Sequence, residues 1–272
     1  MLRLVNTSGS LGAAIEANNI VDLQKDMNNR QLVMRQSTTI NNSNVFFTDQ
    51  NGFDVIRRKR FCNFPPEAAF FSSNAVAYMQ DKTSRLSLLT SQPFGVSSQR
   101  SGSLEVMLNR RLTHHDNLGL DEGSLDNRRT YQRFYILWKF ALSGSRDTNE
   151  TIISNLSLLS DVLVHHMRNY PILLLTRRKT EFVRYLAITT SFPCDVILVK
   201  LRTIDSTSNH AALILHKLEL SATYVSFASV SVGCSLTNNF VVTQLFRVLS
   251  VKALLRQDYL CFMILIQMNR SY

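Results

Sequence analysis

At 272 residues, with 45% apolar and 18% charged side chains, the chain has a globular composition and the length for a sizeable core, which excludes disorder and fibrous repeats. A net charge of +10 raises nucleic acid or an anionic surface as partners. The basic residues are scattered, however, as Arg57-Arg58-Lys59-Arg60, Arg110-Arg111, Arg128-Arg129 and Arg177-Arg178-Lys179, with no nucleic-acid-binding motif beside them. Solvated surface and strand-edge charge explains them better, and nucleic acid is not expected as a partner.

The first 31 residues are weakly patterned. Leu32–Ile40 reads as a strand and Asn41-Asn42-Ser43-Asn44 as a turn. Val45–Asp49 and Phe53–Ile56 flank Gln50-Asn51-Gly52, where Asn-Gly is a strong hairpin signal. Ala75–Asp81 returns to strand. Arg85-Leu86-Ser87-Leu88 alternates polar with apolar residues, the period of a strand with one face buried. Gln92-Pro93-Phe94-Gly95 and Ser101-Gly102-Ser103 are turns, since proline presets φ and glycine tolerates positive φ. Leu104–Leu108 alternates again, with Leu104, Val106 and Leu108 on one side, and a polar loop follows from His114 to Asn127.

Phe134–Phe140 is an aromatic-rich strand. Ser143–Thr151 is polar and marks a boundary. Apolar residues at 152, 153, 156, 159, 162 and 163 predict one helix between Ile152 and Asn169, stopped by Asn169-Tyr170-Pro171. Short apolar runs close the chain: Ile172–Leu175, Val183–Ile188, Asp195–Leu201, Ala211–Leu218, Tyr224–Val232, Phe240–Leu249 and Leu260–Ile266. Strands at this spacing without helices imply a second β-sandwich. The expected fold is all-β, with two antiparallel β-sandwich parts and a short helical connection. Residues 1–31 form an N-terminal segment, 32–142 the first part, 143–170 the linker and helix, and 171–272 the second part.

Four cysteines, Cys62, Cys194, Cys234 and Cys261, are too far apart for a zinc site. One disulfide and four free thiols are both open readings. Met1–Ser10 lacks the apolar core of a signal peptide, and Tyr259–Met268 is too short to span a bilayer. No targeting or membrane segment is expected within this chain.

From Ser84-Arg85-Leu86, through Gln92-Pro93-Phe94-Gly95-Val96-Ser97-Ser98, to Arg110-Arg111-Leu112 and Asp126-Asn127, the chain resembles the C-terminal β region of glycoside hydrolase family 38, the α-mannosidases, most closely the Golgi type. Phe46-Phe47-Thr48-Asp49-Gln50-Asn51-Gly52, Pro193-Cys194-Asp195-Val196 and Ala212-Leu213-Ile214-Leu215-His216-Lys217 extend the resemblance. Phe64–Phe71 also follows the family, but with Ala69 in place of an asparagine and Ser72-Ser73 in place of Pro-Met. The resemblance implies hydrolysis of mannosidic bonds in N-glycans by a retaining enzyme with a catalytic zinc, an aspartate nucleophile and a carboxylic acid/base. These groups belong to an N-terminal α/β domain outside this chain. The chain is therefore expected to be a C-terminal piece, inactive alone, with no cofactor of its own, working in the Golgi or another secretory lumen. The competing expectation is a non-catalytic carbohydrate-binding or scaffold module.

No carboxylate pair with a supporting motif is in view. The resemblance makes Asp116-Asn117-Leu118-Gly119 a substrate-adjacent loop, with Leu118 standing where the family has a sugar-binding arginine. Leucine offers no donors, so a retained structural loop is the preferred reading. His114-His115-Asp116 and His165-His166 lack a third cluster and read as structural rather than metal-binding. No G-x-S-x-G elbow supports a serine triad. Asn-x-Ser/Thr acceptors at Asn6, Asn41, Asn149, Asn155 and Asn269 permit N-glycosylation in a lumen.

Overall fold

A computed structural model describes residues 1–23, 28–49, 51–61, 63–114, 122–126, 128–141, 155–170, 175, 192–204, 210–220, 224–226, 249–256 and 261–268. The chain divides into two compact units. One comprises Met1–Tyr170 with Ser221–Val232; the other comprises Pro171–Leu220 with Gly233–Tyr272.

The first unit is a β-sandwich. Its larger sheet contains β1 (Leu2–Leu4), β2 (Ile15–Val21), β4 (Val45–Asp49), β5 (Val55–Lys59), β7 (Val76–Gln80), β8 (Ser84–Thr90) and β11 (Thr130–Ala141) in the order β1-β2-β11-β8-β7-β4-β5. The smaller sheet has β3 (Arg30–Ser37), β6 (Phe71–Ser73), β9 (Phe94–Ser97) and β10 (Ser103–Arg111) in the order β3-β10-β9-β6. All pairings are antiparallel. Ala17, Phe46, Ala77, Met79, Leu86, Leu88 and Phe134 of the larger sheet meet Phe94, Val96, Leu104 and Val106 of the smaller. The Phe94 and Phe134 rings lie 4.9 Å apart between the sheets. Burial of this alternating set is the main stabilising term of the unit.

The expected one-sided burial of Arg85–Leu88 is corrected. Every residue of β8 is buried, because the outer face of the larger sheet is covered by α1 (Leu158–Arg168), whose Leu163 is fully buried. The helix is shorter than its apolar pattern predicts. It begins at the N-cap Ser157, whose side chain accepts from the Ser160 amide. Arg85 and Ser87 thus face a helix rather than water, and polarity survives there because the partners are built in. Arg85 Nε donates to Gln80 Oε1 at 2.7 Å, its Nη1 to the Asn155 carbonyl at 3.1 Å, and its guanidinium lies 4.3 Å from the Tyr78 ring centre.

Other expectations shift in their bounds. Phe53 and Asp54 belong to the turn rather than the strand, since the Asn51 carboxamide oxygen accepts from both of their amides at 3.0 Å. Phe94 and Gly95 open β9, so the proline turn lies before them and carries the chain from one sheet to the other. The weakly patterned N-terminal segment holds two strands and a 3-10 turn at Ser10–Ala13. Arg57–Arg60 fall at β5, the edge of the larger sheet, where charge deters edge-to-edge pairing.

In the second unit, β12 (Val196–Thr203), β13 (His210–Lys217), β15 (Leu249–Arg256) and β16 (Cys261–Met268) form one antiparallel sheet in the order β12-β13-β16-β15. Ala211, Leu213 and Leu215 alternate inward. Cys194 is disulfide-bonded. Of the run beginning at Tyr224, the described part, β14 (Tyr224–Ser226), pairs with β11 of the first unit. The runs Ile172–Leu175 and Val183–Ile188 lie almost wholly outside the described residues.

Candidate functional site

The motif residues of β10 converge on the stem of the polar loop. Met107–Asn109 carries a register shift against β3, a bulge of the kind that re-aims side chains. Beyond it Arg111 is buried and holds both sides of the stem. Its Nε donates to Asn28 Oδ1 and its Nη1 to the Leu125 carbonyl, each at 2.7 Å. Leu112 bridges Ser124 through the backbone. Thr113 gives both its amide and its hydroxyl to Asn29 Oδ1, at 2.9 and 2.7 Å. Gly123 is required here, since a Cβ would collide with the Leu112 and Thr113 carbonyls. The stem is thus fixed by charge-assisted and backbone bonds.

Beside the stem lies a pocket of about 370 Å³, lined by Gln31, Glu67, Phe70, Gly95, Met107, Asn109, Arg110 and Ser124. Phe70, Gly95 and Met107 give it an apolar floor. Two carboxamides, one carboxylate and one guanidinium supply hydrogen-bonding groups around it. Its single carboxylate, Glu67, cannot by itself provide the two carboxyl groups that glycoside hydrolysis needs.

Asp116, Asn117, Leu118 and Gly119 lie outside the described residues, as do His115, Asn127, Asn149 and Asn269. His114 is exposed at the stem. His165 is half-buried and His166 exposed on α1. Among the described residues no group of three or more His, Cys, Asp or Glu side chains could hold a metal ion. Asn6 and Asn41 are exposed, and Asn155 is half-buried.

Sequence reasoning missed a buried network beneath α1. Lys139 of β11 is 1% exposed and donates to Ser157 Oγ and, at 2.8 Å, to Ser160 Oγ. Burial first, and the Arg85 guanidinium second, hold its ammonium down to about 7. Arg85 is its direct cross-strand neighbour. Burial likewise lifts the Asp161 carboxyl to about 6, against the opposing pull of His165, whose Nε2 is 3.6 Å away. A lysine of lowered basicity beside a serine hydroxyl is a base–nucleophile pairing. Here Lys139, Ser157 and Ser160 are all buried, which closes them to substrate and makes them the seat of the helix.

The described residues form a mostly antiparallel β chain with one short α-helix, in which Arg111 and Asn29 fix the stem of a polar loop. Residues 10–118 match the family model of the glycosyl hydrolases family 38 C-terminal domain. The chain is 34% identical to Alpha-mannosidase 2 of Homo sapiens over 253 residues, which cover 89% of it and 22% of that protein. It is 35% identical to Alpha-mannosidase 2 of Mus musculus over 93% of itself and 23% of the relative. To Alpha-mannosidase 2 of Drosophila melanogaster it is 41% identical over 117 residues, 43% of this chain and 10% of that one. It therefore spans between a fifth and a quarter of the length of the human and mouse relatives. The chain belongs to glycoside hydrolase family 38, as its C-terminal β region.

Proposed function

We propose that this chain is the C-terminal β portion of an α-mannosidase that hydrolyses mannosidic bonds of N-glycans when complete, and that it does not turn over mannosides alone. The observation that carries this is the identity to Alpha-mannosidase 2 across nine-tenths of the chain. The role read for the chain's own residues is positioning: Arg111, Asn28, Asn29 and the Leu112–Ser124 bridge hold a loop stem in place. On this reading the zinc implied by the family belongs to the catalytic domain of the complete enzyme. A secretory lumen, the Golgi for this type, is the proposed setting, and the disulfide at Cys194 supports an oxidising compartment.

The test is hydrolysis of an aryl mannoside by the purified chain, with and without added zinc. No turnover in either arm is expected, and zinc-dependent turnover by this chain alone would refute the reading. A second reading is a non-catalytic carbohydrate-binding module, for which the pocket floored by Phe70 and Met107 would be the site. Saccharide binding without turnover, lost in Phe70→Ala, would support it.

A further inference from the structure

Three acceptor sequences for N-linked glycans, at Asn6, Asn41 and Asn155, fall on described residues, and they are not equivalent. A glycan is a bulky, surface group. The sugar is attached to the acceptor sequence in the extended chain, and the fold must then keep the modified amide nitrogen at the surface with room around it. Asn155 is poorly placed for this. Its third residue, Ser157, is buried, caps α1 and binds Lys139, while the Asn155 carbonyl accepts from Arg85. A sugar there would sit where the helix is seated on the sheet.

Asn41 is arranged in the opposite way. It stands in the turn between β3 and β4, and both Asn41 and Ser43 are exposed. Its Oδ1 is fixed by two donors, accepting from the Ser43 amide at 3.3 Å and from Ser101 Oγ at 3.2 Å. Its backbone amide donates to Asp81 Oδ2 at 3.1 Å. With Oδ1 taken by these two donors, Nδ2 has no bond to any described residue. The next residue, Asn42, is buried and tied to the Val45 carbonyl, Ser98 Oγ and the Gly102 amide, so the attachment point is rigid. We infer that Asn41 carries an N-linked glycan. The inference rests on the lumenal setting proposed above. It is confined to Asn41, because Asn6, though exposed, has no partner among the described residues that orients its side-chain amide.

The full chain, sent into the secretory pathway of eukaryotic cells behind a fused signal sequence, is recovered from medium and microsomes, and its glycopeptides are read by mass spectrometry with and without peptide-N-glycosidase. Asn41 is expected to be modified in most molecules and Asn155 in few. Ser43→Ala removes the acceptor sequence while leaving the contacts of Asn41, and is expected to lose one glycan. Should that variant fold poorly, the wild-type glycopeptide still decides. An unmodified Asn41 would overturn the inference, and so would equal modification of Asn155. Because the fused signal imposes delivery, failure at Asn41 counts against this inference alone. The lumenal setting is tested separately, by locating the natural protein in cells.

Discussion

Asp49 shows how one short side chain can organise several elements. It ends β4, is buried, and its Oδ1 accepts from Ser73 Oγ at 3.0 Å, the Ala75 amide at 2.8 Å and the Val76 amide at 2.7 Å. It therefore fixes the entry into β7 and the end of β6. Asp49→Ala leaves two backbone donors buried without an acceptor, and a loss of about 2–4 kcal/mol is expected in urea denaturation. A loss under about 1 kcal/mol would show that water replaces the carboxylate. Gly102 and Gly52 form a matched pair. Both have positive φ, 75° and 84°, but a Cβ on Gly102 would overlap the Thr38 carbonyl oxygen, whereas one on Gly52 meets nothing within 4 Å. Gly102→Ala is expected to cost about 2 kcal/mol or more, and Gly52→Ala about 1 kcal/mol or less. Equal losses in the same urea series would contradict this account of the two turns.

At the scale of elements, the seat of α1 holds two groups whose ionisation is displaced, Lys139 beneath the helix and Asp161 on it. An unfolded lysine binds its proton near 10.5, but Lys139 in the fold binds it only near about 7. Between those values the unfolded chain holds more protons, so stability falls as pH drops through that window and then levels off. Asp161 works in the other direction. Its carboxyl titrates near about 6 in the fold against 3.8 for an unfolded aspartate, so the folded chain holds the extra proton between them and stability falls as pH rises there. These two groups place their combined minimum near about pH 6–7. Lys139→Met is expected to flatten the alkaline limb and Asp161→Asn the acid limb, read as urea midpoints across both windows. A limb that persists unchanged in its variant would refute the assignment. Ser157→Ala removes the cap and one acceptor of Lys139, and an expected loss of about 1–3 kcal/mol is read from the same midpoints; no loss would show that the helix is seated by packing alone.

The same elements show what the sequence made legible and what it hid. Strict alternation in Leu104–Leu108 disclosed both the strand and its inner face, because Leu104 and Val106 are in the core. The alternation of Arg85–Leu88 disclosed the strand but not the burial of its polar face, since a covering helix leaves no mark on the strand beneath it. The helix itself was legible from its apolar spacing, while its start depended on Ser157, which looks like any serine until its partner Lys139 is known. Arg111 was visible as a motif residue, but its role was not. Its partners Asn28 and Leu125 lie 83 and 14 residues away.

At the scale of the whole molecule, the chain is a β-sandwich unit and a second antiparallel sheet that together span between a fifth and a quarter of the human and mouse relatives. If its task is to complete such an enzyme, it should be exchangeable with the segment it matches. The most direct measurement is mannoside hydrolysis by a chimera in which this chain replaces the matching C-terminal segment of Alpha-mannosidase 2. Zinc-dependent turnover by the folded chimera, with none from this chain alone, is the result expected. A folded chimera without turnover would contradict the assignment, and so would turnover by the chain alone.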